Sequence, residues 1–518
     1  MHYRLGLLFA AGLALNLIRP AAASAPGPTI VPALDFSTQQ QVPLKLVQAP
    51  LAKSVELASS KSHPFQFAVA APLTATLADG LWDHVDAGTS RWRLRVSSPG
   101  AESLNFEFSR FHLPAGAALW IYDAQGELIQ GPYTSENETP EGKLWTAVVL
   151  GEQAVLEVRV PEGSRDQLDL ELGSINHGFR GFGKASASDP GSGSCNVDVV
   201  CPAGDAWRSD IRSVARISIG GKFLCSGQMV NNTQQNNDPL FITANHCEVG
   251  QTASTPASSL VFYWNYFNST CRDHSGSVNR VGDGTLSQTQ SGSTLLAGDV
   301  NSDFTLVRLN QAPPSSFNVY FAGWNATSNT PHSGVAIHHP HGYEKSISVF
   351  SSDATAVHTG DISEPGDPVQ PRNVDGWDVK WTQGTTEQGS SGGGLWDQRN
   401  RIVGWLSAGN AGCGAPADDG NINGDDVFGR MDVAWNTQCD SGRQLQAHLA
   451  PNNNNVLSLC GRDQAGASCD NSTAAIAPRK CGETQTRGGG SLGGAMLLPL
   501  ALLAALRRRV SARRAYLA

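Results

Sequence analysis

The stretch Gly389-Ser390-Ser391-Gly392-Gly393-Gly394 places two serines in a run that otherwise contains only glycine. A serine on a tight turn with few side chains exposes its hydroxyl, and the neighbouring backbone N–H groups can converge on one point to form an oxyanion hole. Ser391 is therefore a candidate nucleophile. Taken alone, such a stretch is more often a flexible Gly/Ser loop, so the rest of the chain must separate the two interpretations.

Two triad templates fit this stretch. Its Gly-x-Ser-x-Gly pattern matches the nucleophile elbow of α/β-hydrolases, in which an acid and then a histidine follow the serine along the chain. It also satisfies the chymotrypsin-like order of His, Asp and Ser. Only His448 follows Ser391, whereas His246 follows an apolar run at 241–244 and Asp303 begins another apolar run. The order His246, Asp303, Ser391 favours the second template.

Composition narrows the class of protein. The 518 residues are enough for two or three domains, and 55 glycines with only 16% charged residues favour loop-rich β domains. The net charge of −9 argues against a nucleic-acid partner. All ten cysteines lie at or after Cys195 without C-x-x-C spacing, which indicates disulfides rather than a metal site.

Residues 1–23 are typical of a secretory signal peptide. Arg4 supplies a short basic start, residues 5–18 are apolar, and Ala21-Ala22-Ala23 gives a small-residue cleavage pattern, so we expect the cut after Ala23. The alternative is a membrane anchor, which the short apolar run disfavours.

Residues 24–184 contain no cysteine and, from about residue 90, alternate apolar and polar side chains with a period of two. The clearest segments are 104–108, 118–122, 155–160 and 168–172. Such alternation is typical of half-buried strands and predicts a β-sandwich. Two roles stay open for it: a pro-domain that assists folding and blocks the active site, or a binding module that stays attached.

Residues 185–462 are rich in Asn, Ser, Gly and short apolar runs such as 214–219, 260–264, 304–309 and 402–406. Many short strands with turn residues between them predict an all-β barrel or pair of barrels, with one helix at 443–449. The stretch 181–188 in front of this region is typical of a cleavable linker.

Seven motifs in the second region, in their order and spacing, resemble the bacterial lysyl endopeptidase family. They lie at 194–202, 243–247, 263–266, 287–293, 302–306, 336–340 and 389–392. The resemblance covers about 190–462 and implies a trypsin-like serine protease with the chymotrypsin double β-barrel fold. The preceding β-sandwich-like region resembles, less distinctly, the pro-regions of such secreted proteases.

The resemblance implies a role for each triad residue. His246 would be the general base, Asp303 would fix its tautomer, and Ser391 would attack the scissile carbonyl. The N–H groups of Gly389 and Ser391 would stabilise the oxyanion. The family uses no catalytic metal, and we expect no cofactor.

Each role has an alternative. Ser390 could replace Ser391 as nucleophile, although no Gly-Gly pair directly follows it. Asp299 could replace Asp303, although no strand directly follows it. The histidines His338, His339 and His341 suggest a metal site, but the family carries two of them without a catalytic metal.

Specificity for a basic residue requires a carboxylate at the base of the pocket, because a desolvated cation needs a partner. In the family this Asp precedes a Gly-Arg pair, and Asp426 in Asp426-Val427-Phe428-Gly429-Arg430 matches. The alternative is a calcium loop at 419–430, which has Arg430 where such a loop ends in Glu.

The chain departs from the family in two places. The well-known members carry a histidine in the strand after the nucleophile, and the matching place here is near Ser407. They also carry a tryptophan that packs with it, and neither Trp377 nor Trp381 is a secure counterpart. These departures leave strict preference for Lys over Arg open. Lys184, shortly before the family-like mature start, fits self-processing and fits another protease equally well.

The resemblance suggests three disulfides, Cys195–Cys413, Cys201–Cys271 and Cys225–Cys247. The remaining cysteines lie mostly beyond the template. Their proximity suggests Cys439–Cys460 and Cys469–Cys481, but spacing alone cannot fix connectivity.

Residues 463–487 are polar and typical of a linker. Residues 488–518 begin with a Gly-rich stretch, continue with an apolar run at 495–506 and end with clustered arginines. That layout resembles a Gly-Gly-type C-terminal sorting signal with a short transmembrane segment, which a rhomboid-like membrane protease removes. A permanent anchor is the alternative.

The sequence thus predicts a secreted or surface-displayed bacterial serine endopeptidase that cleaves after Lys, with Arg left open, through an acyl-enzyme. We expect protein or peptide substrates, the chain's own pro-domain and a sorting protease as partners. We expect no nucleic acid, and membrane contact only through the C-terminal tail before processing. The alternatives are a non-catalytic binding protein on a protease-like scaffold and a serine esterase, which the triad order disfavours.

Overall fold

The computed structural model describes residues 39–49, 64–182, 192–272, 282–358, 373–414, 424–436, 440–452 and 455–463. Across these ranges the chain forms many strands and three short α-helices, which confirms the predicted all-β class. No helix in these ranges is long and apolar enough to cross a membrane. The expected signal peptide, Ala23, Lys184 and the C-terminal sorting signal all lie outside them.

Among the described residues, twelve strands lie before the expected linker. They are β1 (Leu44–Leu46), β2 (Phe65–Gln66), β3 (Ala68–Thr76), β4 (Leu81–Asp86), β5 (Thr89–Ser97), β6 (Ser103–His112), β7 (Ala118–Asp123), β8 (Ile129–Tyr133), β9 (Leu144–Trp145), β10 (Val149–Leu150), β11 (Gln153–Pro161) and β12 (Asp169–Gly178).

All of these strands except β2 form two sheets that enclose an apolar core. One sheet has the order β1-β5-β11-β7-β8, with β4 on β5, and the other has the order β10-β6-β12-β3, with β9 on β6. Leu94 and Leu156 from the first sheet and Phe106 and Ile175 from the second are fully buried in one cluster. The alternating pattern therefore folds as a sandwich, because each strand turns its apolar face towards the other sheet.

The second region contains the remaining elements. They are β13 (Val197–Asp198), α1 (Arg208–Ile211), β14 (Val214–Ile219), β15 (Phe223–Val230), β16 (Leu240–Ala244), β17 (Val261–Trp264), β18 (Thr289–Ser291), β19 (Ser293–Asp299), β20 (Phe304–Leu309), β21 (Tyr320–Phe321), β22 (Gly323–Asn325), β23 (Gly334–His338), β24 (Ser346–Phe350), β25 (Thr355–His358), β26 (Asp375–Lys380), β27 (Gly394–Asp397), β28 (Arg401–Gly409), β29 (Asp425–Arg430), α2 (Met431–Asn436), α3 (Gln446–Leu449), β30 (Ser458–Leu459) and β31 (Arg462–Asp463).

Two large sheets organise this region. The first has the order β18-β17-β14-β15-β16-β20-β19, and the second has the order β13-β24-β23-β27-β28-β29-β26-β25, with β22 on β28. A large apolar cluster spans both sheets, with Phe241 and Leu306 from the first and Ile337 and Trp405 from the second. This is the all-β chymotrypsin-like fold that the resemblance implies.

The helix predicted at 443–449 is wrong in extent. The structure has a turn at Ser441–Arg443 and a four-residue α3 at Gln446–Leu449. Arg443 donates its N–H to the carbonyl of Asp440, and Leu445 donates its N–H to the carbonyl of Ala434. These contacts to residues outside the segment replace the helical hydrogen bonds that the pattern predicted.

Candidate active site

The turn that carries Ser391 is packed against β15 in a way that requires glycine. Gly389 and Gly392 have φ angles of +86° and +80°, which L side chains rarely adopt. A Cβ on Gly392 would lie 2.4 Å from the carbonyl oxygen of Ser226. Ser226 donates its N–H to the carbonyl of Ser391 at 2.8 Å and its hydroxyl to the carbonyl of Gly389 at 2.9 Å. The Gly-rich stretch is therefore a fixed turn and not a flexible loop.

The two serines of the turn have different surroundings. Ser390 is fully buried, and its hydroxyl accepts the N–H of Glu387 at 3.2 Å and lies 2.8 Å from Nδ1 of His338. Ser391 is partly exposed and lines a surface pocket. Only the second hydroxyl is placed to meet a molecule from solvent.

Asp303 and His246 are in direct contact. Oδ2 of Asp303 lies 2.8 Å from Nδ1 of His246, and Oδ1 accepts the backbone N–H of His246 at 2.8 Å. Asp303 is completely buried. Because an ionised carboxylate only accepts hydrogen bonds, this contact holds the proton on Nδ1 and leaves Nε2 as the basic nitrogen.

Strand pairing brings this pair together and places it beside the serine turn. β16 and β20 are antiparallel with Ala244 opposite Phe304, so the residues that follow β16 meet the residue that precedes β20. A Cβ on Gly392 would lie 2.7 Å from the backbone nitrogen of Ala244, and Sγ of Cys247 lies 3.9 Å from the carbonyl of Ser391. Residues close to His246 on both sides thus touch the turn that holds Ser391.

Ser407 lies near the place where the resemblance leads us to expect a histidine, and its hydroxyl donates a hydrogen bond to Oδ2 of Asp303. No sequence signal marks this contact, because Ser407 lies 104 residues from Asp303 in an ordinary strand. Ser407 is therefore a further hydrogen-bond donor to the carboxylate that contacts His246.

The alternative acid, Asp299, belongs to a separate network. Its carboxylate accepts hydrogen bonds from the backbone N–H of Ser302 at 3.1 Å and from Nε of Arg443 at 3.0 Å. Neither contact involves His246.

Asp426 lies in the same pocket as Ser391. The pocket is lined by Thr386, Glu387, Gln388, Ser391, Leu406, Ser407, Ala408, Gly409 and Asp426. Asp426 is 2% exposed, and its Oδ2 accepts the indole N–H of Trp381 and the hydroxyl of Thr386, both at 2.7 Å. Sequence reasoning missed both donors, since they lie 45 and 40 residues before the acid with no motif to link them.

The three neighbouring histidines that suggested a metal site have other contacts. Nε2 of His338 lies 3.0 Å from the hydroxyl of Ser348, and Nδ1 of His339 lies 2.8 Å from the carbonyl of Tyr343. Burial lowers the pKa of His338 to about 3, so this side chain is neutral. Across the described ranges, no group of three His, Cys, Asp or Glu side chains is arranged to hold a metal ion. Residues 415–423, which include the first five positions of the calcium-loop candidate, lie outside those ranges.

Three cysteine pairs are joined as the resemblance suggests, with S–S distances of 2.10 Å for Cys195–Cys413, 1.96 Å for Cys201–Cys271 and 2.00 Å for Cys225–Cys247. The last bond ties β15 to the turn that carries His246. Cys439, Cys469 and Cys481 lie outside the described residues, so the pairing expected for them and for Cys460 stays a prediction.

Family models match both regions of the chain. The model of the lysyl endopeptidase N-terminal domain matches residues 44–179, and that of the C-terminal domain matches residues 190–429. A lysyl endopeptidase of Pseudomonas aeruginosa is 28% identical over 404 residues, which covers 72% of this chain and 80% of that protein.

Solved structures are more distantly similar. The active form of the Rv3671c protease of M. tuberculosis has 16% identity and a TM-score of 0.28, covering 45% of this chain and 81% of that one. The HtrA-type protease AlgW with a tripeptide has 14% identity and a TM-score of 0.27, covering 45% of this chain and 60% of that one.

Proposed function

We propose, on the premise that the chain belongs to the lysyl endopeptidase family, that it is the precursor of a secreted enzyme that cleaves peptide bonds after lysine through an acyl-enzyme. The family's two domain models together match more than half of the chain, and the chain is a serine endopeptidase. The observation that carries the finer proposal is the buried Asp426 carboxylate in the pocket that Ser391 lines.

The acyl-transfer chemistry uses the three residues in turn. Nε2 of His246 takes the proton from the hydroxyl of Ser391 as its oxygen attacks the scissile carbonyl carbon. His246 then gives this proton to the leaving nitrogen as the C–N bond breaks, which leaves the acyl-enzyme. Water, activated by the same nitrogen, hydrolyses the ester. Asp303 stabilises the imidazolium formed in each half of the reaction.

The oxyanion is stabilised by the turn itself. Within the described residues, no hydrogen bond runs from the N–H of Gly389 or Ser391 to another protein group. The carbonyls that share a peptide plane with these two N–H groups, those of Gln388 and Ser390, accept the N–H groups of His341 and Gly393, so both planes are fixed before substrate binds. Preorganised donors of this kind each contribute roughly 100- to 1,000-fold to the rate.

The hydrogen bonds to Asp426 favour lysine over arginine. A guanidinium binds a carboxylate best through two parallel bonds to both oxygens, and Oδ2 already accepts two donors. The ammonium of a lysine is a compact charge that a single carboxylate oxygen can bind, and it only donates hydrogen bonds. The hydroxyl of Thr386 donates to Asp426 and can still accept a hydrogen bond from that ammonium. The pocket therefore supplies a lysine side chain with two oxygen partners.

Secretion and maturation complete the proposal. The three disulfides are typical of proteins from oxidising compartments. We propose that residues 1–23 are removed on export and that the linker after residue 182 is cleaved to separate the two domains. The C-terminal tail is then the substrate of a sorting protease.

Phosphonylation by a serine-reactive fluorophosphonate tests the nucleophile. We expect peptide mapping to find the label on Ser391 in the wild-type chain and in Ser390→Ala, and no label in Ser391→Ala. A label on Ser390, or none on correctly folded protein, would contradict the assignment. Ser390→Ala is the matched control because it removes the neighbouring hydroxyl from the same turn.

A further inference from the structure

A short strand of the N-terminal region leaves the sandwich and pairs with the second region. In β2, Phe65 lies opposite Leu224 and Gln66 lies opposite Phe223 of β15, in antiparallel register. The N–H of Phe67 continues the contact by donating to the carbonyl of Lys222 at 2.8 Å. The edge of β15 next to the active site is thus occupied by a segment of the chain itself.

The residues at this edge that adjoin the Ser391 turn are different from those that line the Asp426 pocket. Leu224 directly precedes Cys225, which is bonded to Cys247 beside His246, and Ser226, which holds the Ser391 turn. The pocket is instead lined by residues of 386–391 and 406–409 together with Asp426. A substrate that inserts the residue before the cut into the pocket must therefore extend, after the cut, towards Leu224.

Phe65 is held in a defined site on this side. It is 3% exposed, and its ring stacks on His341 at a centroid distance of 5.5 Å and an interplanar angle of 9°. The residue after His341, Gly342, lies so close to Leu224 that a Cβ there would come within 2.3 Å of its Cδ1. Gly342 also adjoins the turn that carries Ser391, because a Cβ on Gly389 would lie 2.9 Å from the backbone nitrogen of Gly342.

The N-terminal region supplies the other walls around the ring. The guanidinium carbon of Arg180 lies 4.1 Å from the centroid of Phe65. A Cβ on Gly181 would lie 3.0 Å from Phe65 and 3.2 Å from Leu224. The site on the protease side therefore consists of the Leu224 side chain, the His341 ring and the open backbone of β15.

We propose that β2 occupies the subsite for substrate residues after the cut bond, so that the N-terminal region inhibits the precursor from the leaving-group side. Extended peptides bind proteins by adding a strand to an exposed edge, with side-chain pockets for specificity. Phe65 provides both features. Once the N-terminal region departs, the same subsite takes an apolar, preferably aromatic, side chain of the substrate.

This mode of inhibition leaves the lysine pocket accessible. Among the described residues, none of those that line the pocket comes from 64–182. A small substrate that has no amino-acid residue after the cut bond should therefore reach Ser391 in the intact precursor. A peptide that extends beyond the cut bond has to displace β2.

The inference rests on the proposed function, and two substrates separate the two claims. One is a lysine p-nitroanilide, which has no residue after the cut, and the other is a peptide that extends three residues beyond a lysine and includes a phenylalanine there. Both are assayed with the full-length chain, and mass spectrometry verifies at the end of each assay that the linker is intact. Phe65→Ala is compared with the wild type.

We expect Phe65→Ala to cleave the extended peptide at least about tenfold faster than the wild type, with the anilide rate unchanged. Phe65→Leu keeps an apolar side chain and should give a smaller rise, which covers the case in which Phe65→Ala fails to fold. Phe111 is a buried phenylalanine of the sandwich core, and Phe111→Leu is the control for a general destabilisation of the N-terminal region. We expect this variant to change neither rate.

An unchanged ratio of the two rates in both Phe65 variants would overturn the inhibition, as would an equal rise for both substrates. If the anilide is still cleaved when either outcome is found, the proposed lysine-specific peptidase function stands and only the inhibition by β2 is overturned. No cleavage of either substrate by any folded form would overturn the proposed function, and the subsite with it.

Discussion

Asp303 accepts two hydrogen bonds from His246, one from ring Nδ1 and one from the backbone N–H, each 2.8 Å long. The carboxylate thus fixes the position of the residue as well as the tautomer of its ring. Asp303 itself has a φ of +50°, a conformation that Asp tolerates better than most residues. In this conformation the carboxylate lies against both the ring and the backbone of His246.

We expect Asp303→Asn to lower kcat by roughly ten-thousand-fold, because the amide can donate to Nδ1 and stabilises the wrong tautomer. The measurement is steady-state kinetics on a lysine substrate, with thermal unfolding as a check on the fold. Asp299→Asn is the control: it neutralises a nearby buried acid that has no contact with His246, so kcat should stay within about twofold. Equal losses in both variants would contradict the assigned role.

Trp381→Phe should raise the ratio of kcat/KM for arginine over lysine substrates by about tenfold. The change removes one of the two hydrogen bonds to Oδ2 of Asp426 and makes that oxygen available to a guanidinium. Trp377→Phe is a matched control, since Trp377 is equally buried but packs on Arg430 instead. A ratio that changes equally in both variants would show that loss of bulk, and not the hydrogen bond, alters specificity.

The stability of the protein should fall as the pH drops from about 6.5 towards 3, in part because of His338. Burial lowers its pKa to about 3 in the folded state, so the unfolded state binds the proton more readily and acid favours unfolding. Asp210, whose pKa burial raises to about 7, has the opposite effect, so the comparison must be between variants. Urea unfolding across this range should show a shallower loss for His338→Gln.

The exposed His332 supplies the control for that experiment. His332→Gln changes a histidine whose contact, with Asp353, is at the surface. We expect its stability to follow the wild-type dependence on pH. The same shallow loss in both histidine variants would contradict a special role for burial at His338.

Removal of Cys225–Cys247 should lower both stability and activity. The bond closes a span of 22 residues, which corresponds to about 3 kcal/mol of free energy of unfolding. Because it joins β15 to the turn of His246, we expect kcat in the double alanine variant to fall as well. Removing Cys201–Cys271, which spans 70 residues, should cost at least as much stability but leave kcat of the folded enzyme unchanged.

The sequence predicted the strands well where an apolar run ends at a turn. The runs 214–219 and 304–309 coincide with β14 and β20, and the alternation after residue 90 became the sandwich. The order His246, Asp303, Ser391 selected a histidine and an aspartate that strand pairing brings into contact, and a serine on a turn that touches residues beside them. These successes rest on local periodicity and on residue types that are chemically distinctive.

Contacts between distant segments could not be read in the same way. Thr386 and Trp381 meet Asp426, and Ser407 meets Asp303, through strand register in a sheet whose order the sequence does not state. Phe65 lies before the alternating region and has no pattern that would link it to Leu224. Such residues become recognisable only when the fold places them beside a group that needs a partner.

The central claim is that Ser391 hydrolyses peptide bonds after lysine. The most direct test is mass spectrometry of a denatured protein digested with the purified, matured enzyme, beside Ser391→Ala prepared in the same way. We predict new termini after lysine in at least about ten times as many products as after arginine, and none with Ser391→Ala. Cleavage at residues other than lysine and arginine, or the same products from Ser391→Ala, would contradict the account.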